Sequence, residues 1–264
     1  MDADELNNAS RQMLAIEELL GGTDFMPVED DRLPQAQDTP PSAKEPAYAA
    51  PAADIDGTSM TRDEKASALQ TLATRTVSGC TRCALSQTRT QTVFGEGSPD
   101  ADLVFVGEGP GAEEDRTGRP FVGRAGELLT KMITAMGLSR DDVFICNMVK
   151  CRPPGNRNPA PEEVQTCWNY LVRQLQIIRP TVIVTLGNPA TKGLLNTTTG
   201  ITRLRGSWQK LPEIGPGLGD TPVMPTFHPA YVLRQYTSEN RGKVWSDLQA
   251  VMQKLGLSVP TKKS

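Results

Sequence analysis

Cysteine and histidine are scarce in this chain, with five of the first and one of the second in 264 residues. No apolar run approaches the roughly 18 residues that a membrane-crossing helix requires, so no transmembrane segment is expected. The opening "MDADELNNAS" lacks the basic-then-apolar order of a secretory signal, and a cytoplasmic protein is expected. Thiols stay reduced there, so the cysteines are read as metal ligands, catalytic groups or small buried hydrophobes rather than disulfide partners.

The net charge of -3 conceals an asymmetry. Residues 1–75 hold 6 Lys/Arg against 15 Asp/Glu, whereas the remainder holds 22 against 16. The C-terminal portion is therefore mildly basic, which suits a nucleic-acid partner without requiring one.

Three regions are expected. Residues 1–22 carry Leu6, Met13, Ile16, Leu19 and Leu20 at helical spacing before Gly21-Gly22, an amphipathic helix and a candidate docking peptide for another protein. Residues 23–60 are rich in Pro, Ala and Asp and too poor in large apolar residues to offset the entropy of ordering, so a flexible, disordered linker is expected. From residue 61 to 264 the text is globular. Strand-like runs at 102–108, 143–149, 181–187 and 222–228 alternate with helical ones near 61–75, 124–137, 161–178, 189–195 and 239–255. Near-continuous apolar strands separated by helices predict an α/β fold, a parallel sheet covered on both faces. Ligands of such sheets lie beyond the carboxyl ends of the strands. That edge should hold Gly107 to Gly111, Asn147, Gly187 to Pro189 and His228.

Three constellations could carry chemistry. "GEGPGAEED" (107–115) follows a strand, and its glycines let backbone approach a ligand. As a dinucleotide fingerprint it is poor, because Pro110 removes a donor and Glu113, Glu114 and Asp115 would repel a pyrophosphate. "HPAYVLR" (228–234) contains the only histidine, with the following Pro ending the strand and holding the imidazole in a rim loop. Cys80-x2-Cys83, Cys151 and Cys167 form a set of four that suits zinc or an iron–sulfur cluster equally. Cys146 sits inside an apolar strand and is read as packing.

The motifs "GEGPGAEEDRTGRPFVGRAGELL", "NMVKCRPPGNRNP" and "HPAYVLR", in this order with C-x2-C upstream, resemble a family-4 uracil-DNA glycosylase of the iron–sulfur type over about residues 76–256. The resemblance implies a three-layer α/β/α sandwich around a short, mostly parallel four-stranded sheet. It implies a [4Fe-4S] cluster on Cys80, Cys83, Cys151 and Cys167, resolving the zinc alternative by analogy. It further implies base flipping into a pocket, with Phe121 stacking on uracil, Asn147 pairing with its edge, and His228 donating towards O2. The Gly109 to Gly111 backbone would add donors. Glu108 would lie near the sugar and the attacking water. Asn156, beside Arg152 and Arg157, is assigned to water or phosphate, and Leu233 or Arg234 to the gap left by the flipped base.

A related branch traps the sugar through a second histidine in a basic insertion. Here "GRPFVGRAG" runs straight into its helix and no second histidine exists, so turnover is expected. The partner implied is uracil-containing DNA, single- or double-stranded, bound by a monomer. Two alternatives remain: an inactive DNA-binding module recruited through its N-terminal arm, and a zinc-stapled nucleotide-binding enzyme.

Overall fold

The computed structural model describes residues 59–259. The expected helix within 1–22 lies outside the described residues, as does all but the end of the expected linker at 23–60.

Helix α1, Arg62–Thr71, starts on a reciprocal cap: the Thr61 hydroxyl accepts the Glu64 N–H while the Glu64 carboxylate accepts the Thr61 N–H at 2.7 Å. It runs on as a π-helical stretch, Leu72–Val77, that delivers the chain to Cys80. The strands are β1 Glu96–Gly97, β2 Leu103–Gly107, β3 Phe144–Asn147, β4 Val182–Leu186, β5 Gln209–Lys210 and β6 Pro222–Thr226. They pair in the order β1-β3-β2-β4-β6-β5. The central four, β3-β2-β4-β6, are parallel, while β1 and β5 pair antiparallel at the two edges.

The expected four-stranded sheet is thus the parallel centre of a six-stranded one. The edge strands span two residues each and carry Glu96, Gln209 and Lys210. Neither forms an apolar run that sequence periodicity could register.

Successive strand residues point to opposite faces, and the core divides accordingly. Val104, Val106, Phe144, Cys146 and Ile183 pack with α1, α4 (Pro161–Ile178) and α5 (Asn188–Leu195). Leu103, Phe105, Ile145, Val182 and Val184 pack on the other face with α3 (Arg124–Ala135) and α8 (Ser238–Lys254). This is the expected α/β/α sandwich. Three short helices were not anticipated: α2 Ala112–Thr117, α6 Ile201–Leu204 and α7 Pro229–Arg234. The last follows His228, which lies between the end of β6 and the helix as expected. Pro229 does end the strand, but its fixed φ and missing N–H also suit the first position of a helix.

Candidate active site

The parallel strands bring four chain segments to one edge of the sheet. Asn147 ends β3, Gly107 ends β2 beside it, Gly187 follows β4, and His228 lies two residues beyond β6. The order β3-β2-β4 makes the end of β2 the point from which neighbouring connections diverge, where a crevice forms.

Glycine is required at two of these points. A Cβ on Gly107 would come within 2.4 Å of Asn147 Oδ1 and 2.5 Å of Phe121 Cζ. Gly187 has φ 87° and would place a Cβ 2.8 Å from that of His228. The absent side chains let an amide, an aromatic ring and an imidazole converge; the Phe121 and His228 ring centroids are 5.7 Å apart.

Asn147 is 1% exposed, and its Oδ1 is buried with no hydrogen-bond partner among the described residues. An orphaned buried acceptor costs about 1–3 kcal/mol, which a ligand N–H would recover.

Phe121 is buried yet holds φ 51°, a left-handed conformation unfavourable for a bulky residue. The surroundings enforce it. Arg140 donates to the Pro120 carbonyl at 2.6 Å and the Phe121 carbonyl at 3.1 Å, and is itself paired with Glu96. Glu114 Oε1 accepts the Val122 and Gly123 N–H groups, while Oε2 accepts that of Gly111. Strain of about 1–3 kcal/mol held by such a shell is characteristic of functional positions.

These bonds revise two expectations. Glu114 does not face a ligand as a repulsive charge; it turns back and pins the glycine loop to the Phe121 segment. The Gly111 N–H is spent on that carboxylate.

His228 caps α7 through Nδ1, which accepts the Ala230 N–H at 3.0 Å. The neutral ring therefore carries its proton on Nε2. Burial, with a smaller contribution from Arg234, lowers its pKa to about 4, so the imidazole is a neutral donor at physiological pH. Glu108 lies next to the pocket in sequence, and burial raises its carboxyl to about 7.

The four cysteines of the expected set line one small cavity, together with Arg89, Lys150 and Tyr170. All five cysteines are free thiols. Arg89 donates to Cys151 Sγ at 3.0 Å and the Lys150 N–H to Cys167 Sγ at 3.3 Å. Burial pushes the Cys167 thiol up to about 12 and raises Cys151. At Cys80 burial also raises the thiol, but bonds from Tyr170 and Arg82 outweigh it and leave the pKa lowered. Among the described residues no three His, Cys, Asp or Glu side chains form a group closed around one metal ion. Four thiols lining one cavity, with N–H donors aimed at two sulfurs, form a donor set that suits an iron–sulfur cluster or zinc. Cys146 is buried in β3 against the core, as expected of a packing residue.

A Cβ on Gly109 would meet Val149 Cγ2 at 2.8 Å, with Pro153 and Pro159 within 4 Å, so the loop after Cys151 lies against the glycine loop. Asn156 is exposed at φ 55°, its Oδ1 accepting from Arg152 at 2.8 Å. Arg157 differs from expectation: both its terminal nitrogens bind Glu163, at 2.9 and 2.7 Å, so its charge is already matched. On α7, Leu233 is half-buried against the core and Arg234 exposed, with Tyr231 exposed on the same helix.

Sequence reasoning missed Glu114, Arg140 and Glu96 as supports of the pocket. Glu114 stands three residues after Gly111 at the start of α2, a capping spacing that could have been read. Nothing local links Arg140 to a loop twenty residues earlier.

The chain belongs to the Uracil DNA glycosylase superfamily, whose family model matches residues 94–249. Several similar proteins carry the name of one type. A type-4 uracil-DNA glycosylase of Thermotoga maritima is 47% identical over 193 residues, 72% of this chain and 94% of that protein. One of Archaeoglobus fulgidus is 44% identical over 191 residues, covering 71% and 94%. One of Sulfurisphaera tokodaii is 49% identical over 166 residues, covering 60% and 72%. The chain is of this type-4 kind. Among the described residues no helix is long and apolar enough to cross a membrane.

Proposed function

We propose that the protein hydrolyses the N-glycosidic bond of deoxyuridine in DNA, acting as a monomer and leaving an abasic site for repair. The observation that carries this reading is the buried, unpartnered Oδ1 of Asn147, set between the Phe121 ring and the bare backbone of Gly107. A flipped uracil stacks on Phe121 and gives its N3–H to Asn147 Oδ1, while the amide NH₂ faces O4. Cytosine, with an acceptor at N3 and a donor at C4, reverses this pattern. A thymine methyl requires space that uracil does not.

As the C1′–N1 bond breaks, its electron pair leaves with uracil and positive charge develops on the sugar. Nε2–H of the neutral His228 donates to O2, and the Gly109 N–H adds to this stabilisation. Glu108 as carboxylate orients water towards C1′ and takes its proton. Arg234 and Leu233 on α7 and Asn156 on the cysteine loop face the DNA. Cys80, Cys83, Cys151 and Cys167 would hold a [4Fe-4S] cluster. When bound it would supply metal–thiolate bonds joining the turn after α1, the proline-rich loop and α4.

The test is release of uracil from a uracil-containing oligonucleotide, read as alkali-induced strand scission. Scission at uracil and not at thymine is expected. Intact strands after incubation with folded, cluster-loaded protein would refute the proposal, and binding without scission would restore the inactive-module reading.

A further inference from the structure

Lys150 lies one residue before a cysteine of the cavity and is 1% exposed. Its ammonium donates to the main-chain carbonyl of Asn147 at 2.8 Å and to Gln174 Oε1 at 2.6 Å. Both acceptors are neutral, and among the described residues no carboxylate pairs with it. A buried ammonium carries a desolvation cost of several kcal/mol, so two neutral acceptors are a weak reason for keeping it.

Its position supplies a better one. After Asn147 the chain leaves the sheet, with Met148 N–H donating to the Gly107 carbonyl and Val149 N–H to the Glu108 carbonyl. The side chain of Lys150 then curls back and satisfies the carbonyl at the strand end. Meanwhile its own N–H donates to Cys167 Sγ at 3.3 Å, and its carbonyl accepts the Val93 N–H at 2.8 Å. Gln174 in turn donates to the Phe94 carbonyl at 2.9 Å. One residue therefore connects the backbone of Asn147, two cavity cysteines, α4 and the loop at 93–94.

We infer that Lys150 is a positioning residue, its ammonium fixing the backbone of Asn147 so that the cysteine cradle sets the aim of the pocket amide. This rests on the reading of Asn147 as the residue that contacts the base. The two are separable by a double-mutant cycle in kcat/KM, together with equilibrium binding of free uracil. The variants are Lys150→Met, which keeps length without donors, Asn147→Ala, and the two combined, in cluster-loaded protein checked for its visible absorption.

Lys150→Met is expected to retain the absorption, lower kcat/KM by about 10²-fold, weaken free-uracil binding, and cost nothing further once Asn147 is Ala. Full additivity with Asn147→Ala, or unchanged uracil binding in Lys150→Met, overturns the inference. If instead Asn147→Ala loses neither activity nor uracil binding, the base-contact reading itself falls. Should Lys150→Met not fold, Gln174→Met, which removes the ammonium's second acceptor, enters the same cycle under the same criteria.

Discussion

The carboxyl of Glu108 provides a quantitative test of the proposed chemistry. Burial raises it from 4.5 to about 7. If its ionised form takes the proton of the attacking water, kcat/KM should follow the carboxylate fraction of the free enzyme. With a pKa of about 7, that fraction is about one-tenth at pH 6 and about nine-tenths at pH 8, so the rate should rise about tenfold across the interval. A glutamate at its ordinary value would be almost wholly ionised at pH 6 and give a flat profile. His228, lowered to about 4, stays neutral throughout and contributes no inflection there. Non-saturating single-turnover scission of a uracil oligonucleotide from pH 5.5 to 8.5, at constant ionic strength, measures the profile. Glu108→Gln should be slower and lose the inflection. A flat wild-type profile, or the same inflection in Glu108→Gln, refutes the assignment of Glu108 as the base. Linkage gives an independent check. Because the folded pKa lies above the unfolded one, the folded state binds the extra proton between about 4.5 and 7, and stability falls as pH rises through that window. Glu108→Gln removes the penalty and should raise Tm relative to wild type at pH 8 and leave it nearly unchanged at pH 4.

His228→Ala removes a donor to the leaving base and should lower kcat by about 10²–10³-fold with the fold intact by circular dichroism. Gly107→Ala places a methyl within 2.5 Å of both Asn147 Oδ1 and Phe121 Cζ, and should abolish free-uracil binding while the visible absorption of the cluster remains. Cys167→Ala should remove that absorption and lower Tm; persistence of both would show that the sulfur is not a ligand. Glu114→Ala frees the Gly111, Val122 and Gly123 N–H groups together and should lower kcat/KM and weaken free-uracil binding, since Phe121 loses one of the restraints on its left-handed backbone.

The layers were legible because the strands are buried on both faces and read as continuous apolar runs, "LVFVG" and "VIVTL" among them. The helix at Pro161–Ile178 was legible to the residue, since proline opens it and its apolar stripe is unbroken. The short helices were not, because four to six residues hold too few turns for a period to emerge. The pocket residues could be placed at strand ends by topology alone. Their support could not: Arg140 reaches carbonyls at 120 and 121, and Glu114 reaches N–H groups at 122 and 123, through backbone atoms that carry no sequence identity. The same limit hid the pairing of Arg157 with Glu163, at the start of the next helix.

The distribution of support argues for where rigidity matters in this site. Phe121 is held from one side by Arg140 and from the other by Glu114, and Asn147 is held through its carbonyl by Lys150. His228 is fixed by its cap on Ala230. Behind its loop, Asp247 is buried, accepts the Thr226 hydroxyl at 2.6 Å and pairs with Arg205, locking the end of β6. Each group that would touch the base is thus immobilised by a residue that does not. The exposed segment Pro154 to Asn158 is restrained away from the pocket, Asn156 by Arg152 and Arg157 by Glu163. Geometry errors of 1 Å at the base cost orders of magnitude in rate, whereas phosphate contacts tolerate them. A cluster that ties down the loop at Cys151 and Cys167, next to Gly109 and Lys150, would therefore act on the precise half of the site.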